Sequence, residues 1–161
     1  LFPMPEAHVG ECPKLIGIDG KHKMSKSFNN AIYISDSAKD VETKVKSMFT
    51  DPDRVYMSEP GQPEKCNVFT YYTLFSTMKV IEVSKKCTEA RIGCVECKEK
   101  LAGEINAMLE PIRQKRSEMV STSGIVGKIL KEGTIKARQV GSETLNLVKK
   151  AIHLDYESLF S

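Results

Sequence analysis

The sequence predicts a mainly α-helical protein, in which a short irregular segment bearing one strand leads into helices that begin near residue 36. Three observations carry this expectation. Residues 1–19 are rich in proline and broken into short apolar pieces. Alternation by twos is confined to Ile32 and Ile34. Beyond residue 40, apolar residues recur three and four positions apart, the spacing of a helix that buries one face.

The elements follow in order. "KLIGI" reads as one short strand ending at Gly17 to Asp19, and a basic loop comes after it. Ser37 with Asp40 three residues on is a capping box, so a helix starts there, with Val41, Val45, Met48 and Phe49 at helical spacing. "TDPDR" at 50–54 stops it, and a polar loop runs to about Glu64. Val68, Phe69, Tyr72 and Phe75 predict a second helix that continues through "MKVIEV", with an interruption near "CTEARIGC". A longer helix starts near Val95, with Leu101, Ile105, Met108, Leu109 and Ile112 on one side and a kink or junction expected at Pro111. "SGIVGKIL" and "ARQVGSETLNLVKKAIHL" predict two more helices separated around Gly133.

Composition bounds what the chain can be. Its 161 residues, 40% hydrophobic, suffice for one ordinary domain, or one domain with a remnant of another. The net charge of +3 is too small to establish a polyanion partner, so charge placement matters more. No run approaches the roughly eighteen apolar residues of a membrane span, and a soluble, cytoplasmic protein is expected. Leu1-Phe2-Pro3 does not look like a natural start of translation, which points to the later part of a longer protein.

Chemistry concentrates in "GIDGKHKMSKSFNN", residues 17–30, where Lys21, His22, Lys23 and Lys26 interleave with Ser25 and Ser27. Most basic surface loops are solvated linkers. The pentapeptide Lys23-Met24-Ser25-Lys26-Ser27 is a different matter, expected by chance in on the order of one in ten thousand chains of this length. Ammonium groups on flexible stems suit phosphate oxygens, and Gly20 permits the loop to swing.

That pentapeptide is the second signature of class I aminoacyl-tRNA synthetases, the KMSKS loop. With "MFTDPDRV", "PGQPEKCNVFTYY", "LEPIRQKR" and "EGTIKAR" in the right order, the whole chain resembles the bacterial-type tryptophanyl-tRNA synthetases. The resemblance implies residues 1–35 as the end of a class I, Rossmann-like catalytic domain carrying the KMSKS loop. It implies residues 36–161 as an all-helical tRNA anticodon-binding domain. It also implies a reaction, activation of tryptophan by ATP with magnesium, followed by transfer to tRNA(Trp). Lys26 and Lys23 would be the catalytic lysines, with Lys26 the stronger assignment. Met24 would anchor the loop against the helical domain, and Ser25 and Ser27 would add phosphate contacts. The backbone of Leu15 or Ile16 would lie near the adenine. Lys21 and His22 fall outside the signature and are expected in solvent. The family's His-x-Gly-His signature and tryptophan pocket are missing: His8-Val9-Gly10 runs on into Glu11, too close to the loop. This chain alone is therefore expected to be inactive. In the family the subunits pair through the catalytic half, so a homodimer is implied for the complete enzyme, and a monomer is open for this piece.

The cysteines add a second constellation. Cys87, Cys94 and Cys97 form C-x6-C-x2-C, and Cys66 lies upstream. Four thiolates with one tight pair can hold an iron–sulfur cluster or a tetrahedral zinc, while buried cysteines also occur with no metal at all. Some members of the family carry a similar set around a four-iron four-sulfur cluster, and the resemblance selects that reading ahead of zinc. Cys12 stands outside the set.

Basic residues mark the tail: Lys128, Lys131, Lys136, Arg138, Lys149 and Lys150, with Arg113, Lys115 and Arg116 nearby. Such a run is usually a solvated face. The resemblance makes it a tRNA contact. Two rival expectations stand beside the ligase: a stand-alone tRNA-binding module, and a metal-stabilised helical module in which the loop is vestigial.

Overall fold

A computed structural model describes residues 1–10, 12–154 and 156. The chain divides into two compact units, one formed by Val9–Gln114 and the other drawn from Leu1–His8 and Lys115–Ser161. Five α-helices are described: α1 (Ala38–Lys46), α2 (Asn67–Phe75), α3 (Val80–Thr88), α4 (Cys94–Ser121) and α5 (Ile125–Ala151). The expected boundary at residue 35 runs inside the first unit.

Helix α1 starts where its capping box predicts. The Asp40 backbone N–H donates to Ser37 Oγ at 3.1 Å, and the Ser37 N–H donates to Asp40 Oδ2 at 3.2 Å, so two otherwise orphaned donors are satisfied. The expected helical spacing then places Val41 and Val45 in the core, fully buried. They join Met48, Val68, Tyr71, Tyr72, Val83, Leu101, Ala102, Ile105 and Leu109 in one apolar cluster. Burial of this apolar surface holds the four helices together.

Four expectations are corrected. Among the described residues there is no β-strand; "KLIGI" makes a single antiparallel bridge, Ile16 to Lys23. The tight turn in which the Gly20 N–H donates to the Gly17 oxygen ends the pairing at once, and side chains of α2 take the carbonyls that remain, Tyr71 Oη donating to the Ile16 oxygen and Asn67 Nδ2 to the Gly17 oxygen. The second helix does not run through "MKVIEV" either. Ser76 leaves helical geometry at φ −148° and ψ 54°, a short 3-10 turn over Thr77–Lys79 follows, and α3 begins afresh at Val80. Serine and threonine compete for backbone hydrogen bonds and favour such breaks.

Pro111 interrupts nothing, since α4 passes through it as a helix of 28 residues. The missing N–H frees the Ala107 carbonyl, but both residues are exposed and water can serve it. The first compact unit nonetheless ends close by, at Gln114. Gly133 does not separate two helices, and α5 is continuous for 27 residues with none of them buried. A single interior glycine costs only about 1 kcal/mol relative to alanine, too little to break a helix of that length.

Candidate functional site

The lysine loop is built around one turn. Gly20 has φ +67°, in the left-handed region, and its N–H donates to the Gly17 oxygen at 3.0 Å. The chain returns antiparallel, with the Gly17 N–H donating to the His22 oxygen and the Met24 N–H to the Leu15 oxygen. Asp19 closes the inside of the turn. Its carboxylate accepts from the Lys21 and His22 backbone N–H groups and lies 2.9 Å from His22 Nδ1. The bond with the His22 side chain, followed by the others, holds its carboxyl well below the usual carboxylate range. The His22 ring also stacks on Phe28, with centroids 4.8 Å apart, while His22 and Lys21 both stay exposed, as expected.

This scaffold places the signature residues unequally. Met24 is half-buried and packs on the helical core, together with Leu15 and Ile18. Ser25 is half-buried, its N–H taken by Asn30 Oδ1 at 2.8 Å, and its Oγ accepts the Ser27 N–H at 3.2 Å. Lys23 and Lys26 are exposed, and among the described residues neither ammonium has a carboxylate partner. Two positive charges on a braced loop, unpaired among the described residues, can meet an incoming polyanion without first breaking the ion pairs described.

Helix α2 grips the root of the loop. Tyr71, fully buried, donates from Oη to the Ile16 oxygen at 2.6 Å, and Asn67 Nδ2 donates to the Gly17 oxygen at 2.8 Å. Burial pushes the Tyr71 phenol far above its ordinary range, so it stays a donor at every working pH. Sequence periodicity overlooked this role. The apolar spacing singles out Val68, Phe69, Tyr72 and Phe75 and passes over Tyr71 and Asn67, whose partners are main-chain oxygens with no sequence signal.

The four cysteines lie in one neighbourhood. Cys66 is the N-cap of α2, Cys87 lies in the last turn of α3, and Cys94 and Cys97 lie in the first turn of α4. All four are free and partly buried. Charge on Cys94 would disfavour ionisation of Cys66, Cys87 and Cys97, which burial already pushes up, Cys97 to about 12. Arg54 opposes this at Cys87, its Nη1 lying 3.8 Å from the sulfur. Yet among the described residues no group of three or more His, Cys, Asp or Glu side chains is disposed to hold a metal ion. The iron–sulfur expectation on Cys66, Cys87, Cys94 and Cys97 therefore lacks a formed site, as does zinc. The donor set suits such a group, but the arrangement does not.

The basic tail also resolves into two kinds of residue. Lys128, Lys131, Lys136, Arg138, Lys149 and Lys150 are exposed along α5. Arg113 is committed elsewhere: its Nε donates to the Asp36 oxygen at 2.8 Å and its Nη2 to Asn106 Oδ1 at 2.7 Å, tying α4 to the start of α1. Among the described residues no helix is long and apolar enough to cross a membrane.

Known proteins agree with this geometry. The family described as tRNA synthetases class I (W and Y) matches residues 2–110, and the chain belongs to that family. Within it, the chain is similar to tryptophan–tRNA ligases: 40% identical over 156 residues to that of Aquifex aeolicus, covering 96% of this chain and 39% of the relative. The Chlamydia caviae ligase is 41% identical over 157 residues, covering 96% of this chain and 45% of the relative. Among solved structures, the Campylobacter jejuni tryptophanyl-tRNA synthetase complexed with ADP and tryptophan superposes with a TM-score of 0.77 at 30% identity, covering 93% of this chain and 47% of that one. The chain thus spans less than half the length of these relatives.

Proposed function

We propose that this chain is the carboxyl-terminal working part of a tryptophan–tRNA ligase: a KMSKS loop that closes a class I active site, followed by helices that bind tRNA(Trp). The observation that carries the reading is the exposed pair Lys23 and Lys26, without a carboxylate partner among the described residues, on a loop braced by Asn30 and α2. Residues 1–35 would be the end of the Rossmann-like catalytic domain, and the helical residues 36–161 the anticodon-binding part.

In the reaction, the carboxylate of tryptophan attacks the α-phosphate of ATP, forming the mixed anhydride and releasing pyrophosphate. Magnesium enters with ATP as part of that substrate. Negative charge grows on the non-bridging oxygens and the leaving pyrophosphate, and cations that meet it there lower the barrier more than they tighten ground-state binding. Lys26 Nζ, with Lys23 in support, would supply those cations. Ser25 and Ser27 would add phosphate contacts from the same turn, while Met24 holds the loop to the helical core. The backbone of Leu15 or Ile16 would flank the adenine. The exposed lysines of α5 would meet the tRNA backbone. A cytoplasmic location and a homodimer formed through the catalytic half belong to the same reading.

The experiment joins this chain to the amino-terminal portion that the relatives carry and measures ATP–pyrophosphate exchange. Exchange that depends on tryptophan and not on tyrosine supports the reading; exchange driven by tyrosine, or none with either, refutes it. Salt-dependent retention of tRNA without any exchange would favour the stand-alone binding module.

A finer reading of the cysteines, a four-iron four-sulfur cluster, is supported by their shared neighbourhood and all-sulfur donor set, but not by any preformed metal group. Iron and sulfide analysis after anaerobic purification decides it: four of each per chain, with absorption at about 400 nm, supports the cluster, and metal-free protein with intact helices removes it.

A further inference from the structure

One buried polar side chain organises the lysine loop, and it lies outside the signature. Asn30 is only 2% exposed. Its Oδ1 accepts the Ser25 N–H at 2.8 Å, and its Nδ2 donates to Asp19 Oδ2 at 3.1 Å and the Lys23 oxygen at 3.3 Å, with the His22 oxygen at 3.5 Å. The Asn30 main chain contributes as well, its oxygen accepting the Ile18 N–H at 2.9 Å. The amide orientation is forced, because a main-chain N–H can only donate and the carboxylate and carbonyl oxygens can only accept.

The site is also fitted to this side chain. A Cβ on Gly17 would stand 2.2 Å from Asn30 Nδ2 and 2.3 Å from its Cγ, so residue 17 lacks a side chain where the amide passes. On its other side, Gly17 is held by Asn67 of α2. A continuous line of contacts therefore runs from α2 through Gly17 and Asn30 to the main chain of Lys23 and Ser25, the residues that bracket Met24 and lead into Lys26.

We propose that Asn30 is the positioning residue of the KMSKS loop, setting where the ammonium groups of Lys23 and Lys26 stand by fixing the main chain at residues 23 and 25 and the carboxylate of Asp19. This rests on the ligase reading for what the lysines do. The hub itself does not depend on it. Asn30 acts through the lysines and touches no reacting atom, and a misplacement of about 1 Å in a charge-stabilising group is enough to cost on the order of a hundredfold in rate.

Two readouts separate the hub from the ligase reading. In the chain alone, amide hydrogen exchange at Ser25 and trypsin cleavage after Lys23 and Lys26 report loop order. Asn30→Ala and Gly17→Ala, which evicts the amide without removing it, should each speed both by about tenfold or more, with α4 exchange unchanged. Asn30→Asp is the control for packing. It keeps the volume and the acceptor for Ser25 but sets a carboxylate against Asp19 and the Lys23 oxygen. It should loosen the loop as much as alanine does, whereas a residue that only filled space would be spared. Unchanged loop order in all three variants overturns the hub.

In the joined enzyme, Asn30→Asp should lower the turnover of tryptophan-dependent pyrophosphate exchange about ten- to a hundredfold, leave the KM for tryptophan unchanged, and cost little more in a Lys26→Ala background. A full additional loss in that background would show that Asn30 does not act through Lys26. If the unaltered joined enzyme lacked exchange altogether, the ligase reading and the catalytic role would fall together, and loop order alone would judge the hub.

Discussion

Replacing Tyr71 by phenylalanine tests whether α2 holds the lysine loop. The change removes one oxygen and leaves the fully buried ring in place. What is lost is the 2.6 Å bond to the Ile16 oxygen, and what remains is a part-buried carbonyl with no partner. A net hydrogen bond is worth about 1 kcal/mol, and stranding its acceptor brings the cost to about 1–2 kcal/mol. For a unit of about a hundred residues, that corresponds to a fall in melting midpoint of roughly 5–10 °C. Asn67→Ala removes the neighbouring bond to Gly17 and should cost a similar amount. The double variant should lose less than the sum, because both bonds hold one short stretch of chain and the first loss already frees it. Thermal unfolding followed by circular dichroism measures all three, and trypsin cleavage after Lys23 reports the loop directly. An unchanged midpoint for Tyr71→Phe, with cleavage as slow as in the unaltered chain, would refute the reasoning.

Further predictions concern titration. The Asp19 and Asp40 carboxyls are both depressed, mainly by hydrogen bonds from the His22 and Ser37 side chains. Their contribution to stability is complete above the unfolded value of 3.8 and is lost as the pH falls below it toward the folded values. Denaturant melts between pH 5 and pH 2 should show the loss, and Asp40→Asn should flatten the curve. In metal-free protein, exposed Cys12 should alkylate first at pH 8, and Cys97, its thiol pushed up to about 12 by burial, should react slowly until the chain unfolds. Mass spectrometry of partly alkylated protein checks the order, and rapid labelling of Cys97 would contradict the burial described for it.

The legibility of the chain follows from where the determining physics lies. The capping box of Ser37 and Asp40 and the spacing of Val41 and Val45 are local, so α1 and its buried face could be read directly. The continuity of α5 past Gly133 goes against the sequence reading because a single-residue propensity is weak against the sum over a helix, whereas at Ser76 the apolar spacing runs on across a break that the polar Ser76-Thr77 pair favours. The strand expected at "KLIGI" failed for another reason. A tight turn limits its main-chain pairing to one bridge, and the side chains that take its remaining carbonyls sit about fifty positions away on α2, where no local pattern announces them. Within the site, the pentapeptide showed which residues carry charge. The brace of Asp19, Asn30 and Gly17 could not be seen, since an asparagine amide facing three main-chain groups and a carboxylate looks in sequence like any loop asparagine.

The central claim is that the Lys26 ammonium stabilises charge as the adenylate forms. Its most direct test is Lys26→Ala in the joined enzyme, with turnover and KM for ATP measured separately in tryptophan-dependent pyrophosphate exchange. A cation that acts mainly in the transition state predicts a turnover lower by about a hundredfold or more with little change in KM. Full turnover with Lys26→Ala, or a loss confined to KM, would contradict it.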